Sequence, residues 1–183
     1  NAICKSATFS IRNIGRLRKY LNQADTERLV HAFVTSKLDS CNSILFGLPS
    51  YQIEKLQRVQ NSAARLATRT KKSEHISPVL YDLHWLTVKN RIIFKILLIT
   101  FKALHGLAPG YLSDLITPYR PSRSLRSMVA NLLILPKCRT KTYGERAFAV
   151  AGPTLWNSLP QFMRELTSVN QFKAHLKTYL FDK

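Results

Sequence analysis

The chain has 183 residues, 45% of them hydrophobic, enough to bury one sizeable core and too apolar for disorder throughout. Lys and Arg number 28 against 10 Asp and Glu, and the resulting net charge of +18 attracts polyanions from a distance, nucleic acid first and an anionic membrane surface second. Cys4, Cys41 and Cys138 are odd in number and lack any Cys-x-x-Cys spacing, which argues against a disulfide framework and for an intracellular location, nuclear or cytoplasmic.

The opening stretch NAICKSATFSIRNIG begins at Asn1 and has no uninterrupted apolar core, so it reads as an internal segment and not as a signal peptide. From Ile3 to Leu21, Ile3, Ala7, Ile14, Leu17 and Leu21 share one helical face, while Lys5, Arg12, Arg16 and Lys19 share the opposite one. Asn22 to Asp25 supply the turn and N-terminal cap of a second helix, whose Leu29, Val30, Phe33, Val34 and Leu38 are expected to face a core. Gly47 and Pro49 break the pattern that follows.

A third helix is predicted from Ser50 to about Thr70. Leu56, Val59, Ala63, Leu66 and Ala67 form its apolar stripe, and Lys55, Arg58, Arg65, Arg69 and Lys72, with Ser62 among them, form a basic stripe that has no acidic member. Like charges three or four residues apart cost a few tenths of a kcal/mol per pair, a cost easily understood if the stripe meets a polyanion. A solvated outer face is the alternative, and the pattern leaves both open.

Ser77 and Pro78 read as the N-cap and first turn of a short helix ending near Trp85. The central helix, Val88 to His105, places Arg91, Lys95 and Lys102 on one narrow line and apolar residues over the rest of its circumference, so it needs neighbours on several sides. Thr87 can cap its start and Gly106 its end. A membrane span needs about twenty uninterrupted apolar residues, and each internal lysine would cost about 2.5–3.5 kcal/mol at mid-bilayer. Residues 106–116 complete this region with a turn and a short helix after Pro109, and the whole span 73–118 reads as core, not as a binding surface.

Composition changes at Pro118. Between Tyr119 and Arg146 the basic residues Arg120, Arg123, Arg126, Lys137, Arg139, Lys141 and Arg146 face a lone Glu145, with prolines and serines between them and a candidate strand at Asn131–Leu135. Such a segment can order on a phosphate backbone, with Tyr119 or Tyr143 stacking on bases, or can be a loop kept soluble by its charge. Helical pattern returns at Tyr143–Ala151, Gly152 and Pro153 are expected to break it, and Thr167 or Ser168 can cap a last helix through Phe181. The expected fold is mainly α, a helical bundle around a buried central helix with a basic loop and at most a small β-ribbon near 131–142. Its expected parts are a helical domain over 1–118, the basic segment 119–146, and a C-terminal helical segment 147–183 that packs back on the core.

No pattern of chemistry accompanies this frame. There is no Asp-Asp pair of the kind that clamps two catalytic metals, no phosphate-cradling glycine loop, no nucleophile elbow, and no clustering of the five histidines that would suit a metal. No catalytic residue, metal ligand, cofactor or small-molecule substrate is assigned.

Several runs in fixed order carry a resemblance. LVHAFVTSKLDSCNSILFGLPSYQIEKLQRVQNSAARL, then HISPVLYDLHWLTVKNRIIFKILLITFKALHGLAP, PSRSLRS, RTKTYGERAF, LWNSLP and FKAHLKTYLF together cover nearly the whole chain. They resemble the C-terminal, thumb and post-palm part of reverse transcriptases from non-LTR (LINE, jockey-like) retrotransposons. Members of that family usually have an aromatic residue where this chain has Ser40, and often proline where it has Thr87. The resemblance implies a non-catalytic module of an RNA-directed DNA polymerase that holds template RNA or an RNA/DNA hybrid beside a palm lying elsewhere in its polyprotein. A helical packing or interaction domain, or an inert or host-derived fragment of such an element, is the alternative.

Overall fold

The apolar periodicities resolve into helices, and among the described residues the chain is mainly α-helical with no sheet. The computed structural model describes residues 2–120, 131–138, 140 and 143–182. Backbone contacts group the chain into two compact units, Asn1–Ile92 and Ile93–Lys183, a division within the central helix that the composition change at Pro118 does not mark. No helix among the described residues is long and apolar enough to cross a membrane.

The first unit holds α1 (Ala2–Leu17), α2 (Gln23–Val30), α3 (Ser36–Asp39), α4 (Ser50–Thr68), α5 (Ile76–Asp82) and the start of α6 (Val88–Leu104). Asn22 caps α2, its Oδ1 accepting the Asp25 N–H at 2.8 Å. Helix α1 packs against α4, with Gly15 next to Leu66. Ala7 and Ile14 are buried there with Leu56, Val59, Ala63, Ala64 and Ala67. Ile3, expected in this core, is 39% exposed and lines a surface recess with Leu45, Leu48 and Leu56.

Between α2 and α3 the helix widens into a π turn over His31–Thr35, closed by the Ser36 N–H donating to the His31 carbonyl. This turn corrects one expectation. A wider turn rotates each following residue back relative to a regular helix, so Val30, Val34 and Leu38, at a spacing of four, all stay buried while Phe33 swings out to 52% exposure. Asp39, at the end of α3, receives Arg91 from α6 in a fork. Arg91 Nε donates to Asp39 Oδ1 at 2.8 Å, and the Nη2–Oδ2 contact completes the pair.

Two glutamines of α4 fasten the approach to α6. Gln60 Nε2 donates to the Leu86 carbonyl at 2.8 Å, and Gln57 Oε1 accepts the Val88 N–H at 2.8 Å, one of the donors that the first turn of a helix leaves over. The Thr87 hydroxyl accepts a second such donor, Asn90 N–H, at 3.3 Å. Helix α5 begins at Ile76, before the expected cap, so Ser77 and Pro78 lie inside its first turn, where proline costs no hydrogen bond.

The second unit contains the rest of α6, α7 (Gly110–Ser113), α8 (Phe148–Asn157), α9 (Gln161–Arg164) and α10 (Val169–Phe181). Ile96, Leu97, Thr100 and Phe101 of α6 are buried, and Phe101 stacks on Phe172 of α10 with ring centroids 4.3 Å apart. Gly106, at φ 68°, ends α6 in the left-handed conformation that glycine adopts without strain. Gly152 and Pro153 do not break α8 but lie inside it, and helix starts at Phe148, later than the pattern suggested. A Cβ on Gly152 would stand 2.9 Å from the Thr100 hydroxyl, so glycine here serves the close approach of α8 to α6.

The candidate strand finds a different partner from the expected ribbon. Leu133 bridges antiparallel to Pro118, with Tyr119 N–H donating to the Leu132 carbonyl at 2.8 Å and Ile134 N–H to the Thr117 carbonyl at 2.9 Å. The LWNSLP run secures the other side. Trp156 Nε1 donates to the Asn131 carbonyl at 2.8 Å, and the Asn157 amide exchanges two 2.9 Å hydrogen bonds with the Leu133 backbone.

Candidate nucleic-acid interface

On α1 the helical period leaves Lys5, Arg12 and Arg16 exposed opposite the buried Ala7 and Ile14. The α-helix stops at Leu17, and Lys19 lies in a following 3₁₀ turn, its Nζ 4.6 Å from the Tyr20 ring centroid. Arg18, which the periodicity does not single out, turns towards α4. Its Nε and Nη2 donate to the Leu66 and Ala67 carbonyls at 2.9 Å each, satisfying acceptors in the last turn of α4, where a cation is also favoured by the helix dipole.

On α4 the predicted stripe divides by role. Lys55 and Arg58 are exposed, with Lys55 Nζ 5.5 Å from the Tyr51 ring centroid. Arg65 is half-buried, and its guanidinium donates to the Lys71 carbonyl at 3.3 Å and the Glu74 carbonyl at 2.7 Å. The helix ends at Thr68, so Arg69 and Lys72 do not continue its face. Arg69 adopts φ 59° and donates to the Arg18 carbonyl at 3.4 Å, while Lys72 is exposed in the turn beyond. Within the first unit, then, Arg65 and Arg69 tie down the chain that leaves α4. Lys5, Arg12, Arg16, Lys19, Lys55, Arg58 and Lys72 carry the solvent-facing charge. No described acidic residue forms an ion pair with any of them, whereas Arg28 pairs with Asp25 and Arg91 with Asp39.

In the second unit Arg120 and Lys137 are exposed and Arg146 is half-buried. Arg123, Arg126, Arg139 and Lys141 lie outside the described residues. Tyr119 and Tyr143 are 44% and 78% exposed. Arg164 is a cation near this segment that the sequence pattern passes over. Its Nη1 donates to the Asn157 carbonyl at 3.1 Å, and its own carbonyl accepts from Asn131 Nδ2 at 3.3 Å.

His31, on the π turn, stands edge-on to Trp85 at 5.1 Å between ring centroids. Burial, and after it the charge of Arg91, hold its pKa below the ordinary value, opposed by Glu27 and Asp39. The described residues contain no group of three or more His, Cys, Asp or Glu able to hold a metal ion. The chain matches no family model, no curated protein and no solved structure.

Proposed function

We propose that this chain is a sequence-tolerant nucleic-acid-binding module, built to hold RNA or an RNA/DNA hybrid as the non-catalytic thumb-side part of a LINE-type RNA-directed DNA polymerase. The observation that carries the reading is the unneutralised charge on α1 and α4. Lys5, Arg12, Arg16, Lys55 and Arg58 lie opposite apolar stripes, face solvent, and form no ion pair with a described acid. Contacts of this kind read phosphates, not bases, so affinity depends on salt and little on sequence. The family assignment rests on the order of the sequence runs given above, and the remainder of the same polyprotein is the expected protein partner. On this reading the chain acts inside the cell, in the nucleus or cytoplasm, and needs no cofactor.

Titration of the purified chain with single-stranded RNA, an RNA/DNA hybrid and duplex DNA at several salt concentrations tests the proposal. RNA or hybrid should bind with an affinity that falls linearly in a log–log plot against salt, by about 0.7 per contact on a single strand. Affinity too weak to detect at about 50 mM salt for all three would reject it.

A further inference from the structure

We propose that a recess in the second unit is a pocket for a single nucleotide, with a base face on Tyr119 and a phosphate between Arg120 and Arg164. The cavity measures about 360 Å³, in the range of small-ligand sites, and is formed where the Pro118–Leu133 bridge meets the ends of α6, α8 and α9. Its lining includes His105, Tyr119, Arg120, Asn131, Trp156 and Arg164 and contains no Asp or Glu. Two arginines lining one small recess, with no carboxylate among its described lining residues, favour an anion, and the planar, doubly forked guanidinium suits phosphate.

A second observation points the same way. The buried Nε of Arg164 has no hydrogen-bond partner among the described residues, although the same side chain donates through Nη1 to Asn157. Buried donors are rarely left without an acceptor, and an anion that drew the Arg164 guanidinium towards the recess would supply one. The wall is also held in place. Asn131, at φ 45°, is fixed by its carbonyl on Trp156 Nε1 and by its amide on the Arg164 carbonyl. His105 stacks on Phe101 at 4.0 Å between ring centroids, and its Nδ1 donates to the Phe101 carbonyl at 2.8 Å. Exposed Tyr119 supplies the π surface, which is tolerant of base identity. The inference deepens the proposed function by giving a charged surface one place where a base is gripped, and it rests on that reading only for the source of the nucleotide.

The test uses the full chain and adenosine 5′-monophosphate, followed by NMR at the Trp156 indole N–H and the Tyr119 amide. The expected result is a saturable shift of both signals, with adenosine alone or inorganic phosphate alone binding at least about tenfold more weakly, since stacking and phosphate contacts act together. Tyr119→Ala combined with Arg120→Gln should abolish the response while the remaining spectrum shows the fold intact. Arg164 is left unchanged because it also braces α8. No saturable shift in the wild type, or the same shift in the double variant, would overturn the pocket. The two proposals fail separately. RNA binding without a nucleotide response leaves the basic surface standing and removes the pocket, whereas a nucleotide response without RNA binding does the reverse.

Discussion

Asn157 holds Leu133 as a neighbouring strand would, its side-chain amide donating to the Leu133 carbonyl and accepting the Leu133 N–H, both at 2.9 Å. One side chain thus satisfies both backbone groups of a buried residue whose other side bridges to Pro118. Asn157→Ala should destabilise the chain by about 2–3 kcal/mol, because it leaves a partly buried donor and acceptor unpaired. Asn157→Asp, which keeps only the acceptor, should fall between. Urea midpoints for the three proteins decide the matter, and an unchanged midpoint for the alanine variant would contradict the role.

Phe101 is fully buried and Ile96 is 2% exposed, with Phe101 stacked on Phe172. Ile96→Ala or Phe101→Ala should each cost roughly 2–5 kcal/mol through lost transfer free energy and a cavity. Lys95→Ala, one residue away but exposed, should stay within about 0.5 kcal/mol. Equal losses at all three positions would mean that burial is not what sets stability along α6.

The lowered pKa of His31 gives stability a pH dependence with a definite sign. The folded chain binds fewer protons than the unfolded chain once pH falls below the ordinary value of 6.5. The contribution is therefore complete above that pH and is lost as pH drops towards the folded pKa. His31 is exposed, so solvent screens the effect and the change is small. Between about pH 7.5 and about pH 5 the wild type should lose more of its denaturation midpoint than His31→Gln, which cannot titrate. Parallel loss in the two proteins would assign the acid limb to other groups.

Arg12, Arg16 and Arg58 are the cleanest probes of the basic surface, because Arg65 and Arg69 also hold backbone carbonyls. Replacing the three with Gln should reduce the salt slope for single-stranded RNA by about 2, nearly alike for all sequences. Helix propensity is similar for Arg and Gln, so the melting temperature should barely move. Substituting Arg65 as well should lower it. A triple variant that binds with unchanged slope would reduce these residues to a solvated face.

Because its sequence has no Asp-Asp pair of the kind that clamps two catalytic metals, the purified chain is expected to extend no primer on any template with magnesium or manganese. Sustained extension by a homogeneous preparation would refute this.

The helices were legible in the sequence wherever one apolar stripe answered to one neighbour. The buried Ala7 and Ile14 of α1, the buried Leu56, Val59, Ala63 and Ala67 of α4, the Asn22 and Thr87 caps and the Gly106 stop follow from period and local chemistry alone, whereas Ile3 and Leu17, read on the same α1 face, are exposed. What could not be read was set by tertiary partners. Gly152 looks like a breaker until Thr100 is known to lie against it, and Arg18 and Arg65 resemble other surface arginines until the carbonyls that they reach are in view. The recess around Tyr119 joins residues from 104 to 164, a range over which no spacing rule operates.

The π turn at His31–Thr35 gives this part of the chain room to lose one residue. A wide turn carries one residue more than the helix around it needs, so removing the exposed Ala32 would let the backbone close into regular α-helix. Val30, Val34 and Leu38 would then stand three and four positions apart, the ordinary spacing of a buried stripe, and Asp39 would still meet Arg91. Gains and losses of single residues are usually confined to loops. Here the loss of one residue is expected to be absorbed in the middle of a helix, the burial of Val30, Val34 and Leu38 being kept.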